Sequence, residues 1–159
     1  MTDRIFSLAA LTVLELPPPD MVEAAARAGY SHVGLRLVPA TEQEQHFPLV
    51  ADADLRRQTQ AGLRDTGIKV LDLEILRLKP ETCVADFEPI LAVGAELGGT
   101  ELLVAGNDPD EARLTERFAA LCDLAAGYGI HPHLEFMPWT DVRDLRQACL
   151  LYTSPSPRD

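Results

Sequence analysis

Short apolar runs alternate with longer amphipathic segments along this chain, and four of those segments stop at glycine, at Gly29, Gly67, Gly98-Gly99 and Gly129. No Asn-Gly or Asp-Gly dipeptide joins two apolar runs, so a hairpin signal is missing throughout. The pattern predicts strands over residues 5–10, 31–38, 69–75, 101–105 and 130–136. Helices are expected from Asp20 to Gly29 with Asp20 as N-cap, over 52–66, 83–97 and 111–128, and from Val142 after a Thr140-Asp141 cap. The fourth helix carries Leu114, Phe118, Leu121, Cys122 and Ala125 on one face. Strand and helix in strict alternation give parallel pairing, because each strand must be carried back to the same end by a crossover helix.

Two α/β architectures satisfy this alternation: an open doubly wound sheet, or the first five units of an eight-unit (β/α)8 barrel. A doubly wound nucleotide binder needs a glycine-rich turn after its first strand, and Ala9-Ala10-Leu11-Thr12-Val13-Leu14-Glu15 has no glycine. A response-regulator type of sheet needs acids after the first strand and a lysine after the last; Glu15 is the nearest acid and the lysine is missing.

The charge of −11 repels phosphate backbones, and no basic run exceeds Arg56-Arg57, so nucleic acid is not an expected partner. No apolar stretch approaches the roughly 20 residues of a membrane span, and Met1-Thr2-Asp3-Arg4 lacks a signal-peptide pattern. A cytoplasmic location is the expectation, with no membrane partner. Cys83, Cys122 and Cys149 have no metal-type spacing and read as small apolar fillers. Cys83 opens a helix, where a thiolate is favoured, but no His or Lys near it in sequence can act as its base.

From Cys149 to Asp159 the helical period gives way to a stretch with two prolines, and the peptide matches, residue for residue, a translated transposase sequencing adapter. Residues 149–159 are therefore expected to be an artefactual, disordered tail, with 1–148 the N-terminal part of one domain. A chain cut inside its fifth unit is most simply part of an eight-unit barrel.

Three motifs in this order, Gly29-Tyr30-Ser31-His32-Val33-Gly34-Leu35-Arg36, Thr66-Gly67-Ile68-Lys69-Val70-Leu71-Asp72-Leu73-Glu74 and His133-Leu134-Glu135-Phe136-Met137-Pro138-Trp139-Thr140, resemble the sugar phosphate isomerase/epimerase superfamily of xylose isomerase-like TIM barrels. The resemblance covers 1–148. It implies a divalent metal held by a Glu on strand five, an Asp on strand six, a His on strand seven and a Glu on strand eight, of which Glu135 alone has a counterpart here. A carboxylate-rich set suits Mg2+ or Mn2+, with Co2+ or Zn2+ chemically allowed. It further implies isomerase, epimerase or dehydratase chemistry on a small sugar, polyol or hydroxy acid through an enolate-type intermediate, with Glu135 serving also as acid or base. The fragment alone is expected to be inactive. Endonuclease IV-type DNA repair, which shares the fold and a related metal site, is opposed by the charge. A non-catalytic open-sheet binding domain is the third reading.

Alternation along the strands gives its own expectation. If Glu135 points into the barrel, so do His131 and His133, while Leu134 and Phe136 face the helices. Likewise Arg36 separates from Val33, Leu35 and Leu37, and Asp72 and Glu74 separate from Leu71, Leu73 and Ile75. Arg36, Glu74 and Glu135 then converge on one mouth, where Arg36 and Glu74 either bind substrate or form a structural ion pair with Asp72 as buried partner. Glu74 and Glu135 are the candidate catalytic carboxylates. Glu135 can instead cap the next helix, His46 can line a substrate lid, and Trp139 can wall the pocket or serve in packing.

Overall fold

The structure, a computed structural model, describes residues 4–153. Its strands are β1 (Ser7–Leu8), β2 (His32–Arg36), β3 (Lys69–Leu78), β4 (Glu101–Gly106) and β5 (His131–Glu135). They alternate with helices α1 (Pro18–Arg27), α2 (Ala53–Thr66), α3 (Glu88–Glu96), α4 (Glu111–Ala126) and α5 (Leu145–Thr153). All pairings are parallel, and the strands stand in the sheet in chain order, β1-β2-β3-β4-β5. That order decides between the two architectures. A doubly wound sheet reverses its winding at a switch point, whereas right-handed crossovers that always step in one direction put every helix on one face, as in a barrel. The fold is a partial (β/α)8 barrel of five units. Among the described residues no helix is long and apolar enough to cross a membrane.

The core lies between the sheet and its helices. Val33, Leu35, Leu73, Leu76, Leu102, Val104 and Leu134 from the strands pack with Val22, Ala25, Leu91, Leu114, Phe118 and Leu121 from the helices. Local chemistry sets the helix ends. Asp52 caps α2 by accepting from the amides of Asp54 and Leu55 at 2.9 and 3.0 Å, and Gly67 ends it at φ 75°, where a Cβ would be strained.

Several boundaries differ from expectation for identifiable reasons. Helix α1 begins at Pro18 after a Pro17 cap, not at an Asp20 cap, because prolines fit the first turn, whose N–H groups have no helical partner. Pro89 does the same for α3, so Cys83 precedes only a short 3-10 turn, Val84–Phe87, before α3 starts at Glu88. Strand β1 shrinks to two residues at the sheet edge, and Ile5 and Phe6 are exposed where a buried strand was expected. Thr140 does not cap a helix; its hydroxyl donates within a turn to the Met137 and Val142 carbonyls. Helix α5 is opened instead by Asp144, which accepts from the Gln147 amide at 2.9 Å while Gln147 accepts from the Arg143 amide at 2.7 Å.

The helix does not stop at Ala148. It runs on to Thr153, with Leu151 buried at 4% exposure beside Ala148 in the core. The Tyr152 ring meets Phe118 edge-on with centroids 5.2 Å apart, and its hydroxyl accepts from the Leu134 amide at 3.1 Å. Where disorder was expected from residue 149, α5 continues over 149–153, with Leu151 on the face that Ala148 already buries. The rest of the expected tail lies outside the described residues.

Close approach of helix to sheet depends on glycines. A Cβ on Gly94 of α3 would collide with Leu73 Cδ1, and one on Gly99 would lie 2.7 Å from Leu73 Cδ2. Leu73 is wholly buried between them and cannot swing clear. Gly94→Ala is therefore expected to destabilise the chain by about 1 to 3 kcal/mol, read as a lower urea midpoint with an unchanged slope.

Candidate functional site

With every helix on one face, the opposite face of the sheet is lined by residues that alternate with the core set. Register and contacts identify them. Gly34 pairs with Asp72 and Arg36 with Glu74, and a Cβ on Gly34 would lie 2.6 Å from Asp72 Oδ2, so these four residues share the inner face. On β4 and β5 the inner row holds Glu101, Leu103, Ala105, His131, His133 and Glu135, opposite in parity to the buried Leu102, Val104 and Leu134.

Arg36 is the centre of the polar part. Its Nη2 lies 3.2 Å from Glu74 Oε2, and its Nε lies 3.3 Å from Glu44 Oε1, with all three side chains nearly buried. The Glu44 contact is a charge pair without hydrogen-bond alignment. Glu44 arrives from the loop between β2 and α2, and backbone bonds from Leu37 and Val38 amides to the Glu74 carbonyl hold the two strand ends together. Asp72 and Glu74, two apart on β3, share a carboxyl hydrogen bond.

Burial is the main reason that both acids hold their protons more tightly than ordinary carboxylic acids. For Glu74 the Arg36 charge opposes this, while the neighbouring Asp72 and Glu135 carboxylates reinforce it. Glu74 and Glu135 therefore feel each other electrostatically, although no ion pair joins Glu135 to Arg36 among the described residues.

Glu135 ends β5 at the C-terminal side of the sheet, paired with Ala105. Ala105 pairs in turn with Arg77 on β3. The register of β3 shifts between Leu73 and Leu76, so the core set reads Leu73, Leu76, Leu78, and the alternation slips by one. Ile75, expected on the helix side, is buried but falls outside the core cluster, and Arg77 takes inner parity with Ala105 and Glu135. Arg77 Nη1 donates to Asn107 Oδ1 at 3.0 Å, and with Thr41, Ile75 and Phe87 the residue lines a cleft of about 430 Å3 at the strand ends.

Other residues named from sequence stand elsewhere. His133 Nε2 is 2.6 Å from Glu101 Oε2, nearer the N-terminal end of the sheet, and this bond is the main cause that holds Glu101 below the ordinary carboxylate range. His131 is exposed on the same face. His46 reaches inward, and burial pushes its pKa down against the pull of Glu44. Phe136, expected against the helices, is 44% exposed just beyond the strand, and Trp139 is 76% exposed and packs into no part of the core.

Glu44 and Arg77 are the additions that sequence reading passes over. Nothing periodic marks Glu44, which sits in an irregular loop. Arg77 lies past the expected end of the third strand, beyond a register shift that no residue pattern announces. Asp108 is a further buried acid, but it accepts from Arg113 Nε and Nη2 at 2.7 and 2.6 Å and from Arg117 at 3.0 Å, which hold its carboxyl below the usual range. It fastens the start of α4 to the end of β4.

The raised acids have a measurable consequence. Between the ordinary carboxylate range and the raised one, the folded chain binds more protons than the unfolded chain, so the contribution of Asp72 and Glu74 to stability falls as pH rises through that window. Asp72→Asn removes one such acid and leaves an amide that donates to Glu74. It is expected to melt higher than the native chain at neutral pH, with the gain vanishing below about pH 4; thermal melts across that range check this, and a pH-independent difference contradicts it.

No protein-family profile matches the chain, and no curated protein does. Solved structures do. An IolI protein with a bound zinc atom matches with a TM-score of 0.71 at 19% identity over 93% of this chain and 58% of its own. A xylose isomerase domain-containing protein from Salmonella typhimurium matches with 0.67 at 16%, over 87% of this chain and 51% of its own. A xylose isomerase-like TIM barrel protein from Mycobacterium smegmatis, in complex with magnesium, matches with 0.65 at 15%, over 95% and 60%. The chain thus spans a little over half the length of these structures. At these identities the likeness establishes the fold alone: a (β/α)8 barrel, of which this chain forms five units.

Proposed function

We propose that the whole protein is a divalent-metal-dependent isomerase, epimerase or dehydratase acting on a small sugar, polyol or hydroxy acid, with Glu135 as a metal ligand. The observation that carries this reading is the position of Glu135: an exposed carboxylate on the inner face, at the C-terminal end of β5, within electrostatic reach of a second carboxyl with raised proton affinity. Barrels of this kind place their chemistry at the C-terminal strand ends. That one structural neighbour carries zinc and another magnesium supports a metal at this mouth. Carboxylate donors favour Mg2+ or Mn2+, and Co2+ or Zn2+ fits the chemistry less selectively.

Among the described residues no group of three or more His, Cys, Asp or Glu could hold a metal ion, so Glu135 has at most one further such donor here. A divalent ion, when bound, supplies positive charge that polarises a substrate carbonyl and its adjacent hydroxyl. The chain's own residues supply the rest. Glu74, whose burial raises its affinity for a proton, would in its ionised form take a proton from a substrate carbon and, once protonated, return it. Arg36 fixes the Glu74 carboxyl and keeps the inner face from accumulating unbalanced negative charge. The acidity of the molecule, −11 overall, speaks against DNA as substrate.

The 159-residue chain is expected to bind Mn2+ with a dissociation constant on the order of millimolar, as one or two carboxylates allow, and to show no turnover on ketoses or polyols. Glu135→Gln should remove most of that binding. Calorimetry that finds tight stoichiometric Mn2+ uptake, or uptake indifferent to Glu135→Gln, overturns the assignment.

A further inference from the structure

Arg77 is a half-buried cation with no ion-pair partner among the described residues of an acidic chain. Its Nε is buried and makes no hydrogen bond, and Nη1 is held by the neutral Asn107 side chain at 3.0 Å. Arg36, by contrast, stands between two carboxylates, and Arg113 and Arg117 share Asp108. Leaving a guanidinium donor buried and unsatisfied costs free energy, and an arginine withdrawn from water is ordinarily paired.

The place of this cation is informative. Register puts Arg77, Ala105 and Glu135 in one row across β3, β4 and β5 on the inner face, with the smallest side chain of the row in the middle. Asn107, next but one after Ala105, points the guanidinium by accepting from Nη1, which leaves the fork otherwise free. Of the row, Arg77 lines the cleft of about 430 Å3 beyond the ends of β2 and β3, and the other charged residues of that cleft, Glu42, Lys79, Glu81 and Asp86, are all exposed and therefore screened. Arg36 cannot take the same part without giving up its ion pairs with Glu44 and Glu74.

We propose that Arg77 is the anion-binding residue of the site: it receives an oxyanion of the substrate, a carboxylate or a phosphate, at the strand ends opposite Glu135. This deepens the function proposed above and rests on it in one respect, that the mouth is where substrate binds. Neutral polyols are then not the preferred substrates; the class is a hydroxy acid or a phosphorylated sugar. A planar fork matches either oxyanion through two parallel hydrogen bonds.

The test uses the 159-residue chain in metal-free buffer, with inorganic phosphate, glycolate and erythritol as separate probes, followed by calorimetry and by amide shifts in 15N-labelled protein. Saturable binding of phosphate or glycolate that moves Arg77, Ala105 and Asn107, with no response to erythritol, is the expected result. Whichever anion binds more tightly names the oxyanion. Arg77→Gln should weaken that binding by about tenfold or more, equal to about 1.4 kcal/mol, while Arg64→Gln, on the exposed surface of α2, preserves it. If Arg77→Gln loses its native circular dichroism, Arg77→Lys decides, since it keeps the charge but not the fork and should bind with intermediate affinity. Absence of saturable binding, shifts confined to Arg36 and Glu44, or equal binding by Arg77→Gln or Arg77→Lys and the native chain overturns the proposal. Loss of Mn2+ binding with anion binding intact would strike only at the role of Glu135, so the two readings fail separately.

Discussion

One-directional winding of a parallel sheet governs the rest of this structure. Because each crossover steps to the next strand on the same side, all helical cover falls on one face, and each strand has one apolar side and one side freed from packing duty. Leu102 and Val104 are buried against helices, whereas Glu101 and Ala105 between and beside them look the other way. Charged groups gather on the inner face because the other surface of the sheet is filled with leucine and valine.

That concentration has an electrostatic cost which the chain meets with arginine. Asp72, Glu74, Glu44 and Glu135 lie on or close to one patch, and burial alone already disfavours ionised Asp72 and Glu74. Arg36 lowers the cost for two of the four acids at ion-pair distance. The outcome is neither a neutral salt bridge nor a free acid but a carboxyl whose proton affinity is raised by burial and held back by Arg36. Asp108 shows the alternative: two arginines, close hydrogen bonds and a carboxylate locked in its ionised form.

Most of the architecture was legible in the sequence, because it rests on local signals. Glycine stops and the alternation of Val33, Gly34, Leu35 and Arg36 are each decided by a few neighbouring residues. The pairing of Arg36 with Glu74 was legible as a shared face, since it needs only strand parity and sheet order. What escaped reading depends on non-local facts. The register shift in β3 arises where two strands adjust to each other, and it moved Ile75 and Arg77 to faces that strict alternation denies them. Glu44 is brought in by loop conformation, and the helix through Cys149, Leu150, Leu151 and Tyr152 is held by Phe118 and the Leu134 amide, more than fifteen residues away.

Ala105 gains meaning from its two neighbours in the row. Strands two apart in a sheet are separated by about 9 to 10 Å, so the backbones that carry Arg77 and Glu135 stand that far apart with only a methyl group between them. A leucine or phenylalanine there would fill the interval, as bulky residues fill the layers of barrel interiors. Alanine instead makes the middle strand a gauge: the separation of the cation from the carboxylate is set by the spacing of three backbones and not by a side chain wedged between them.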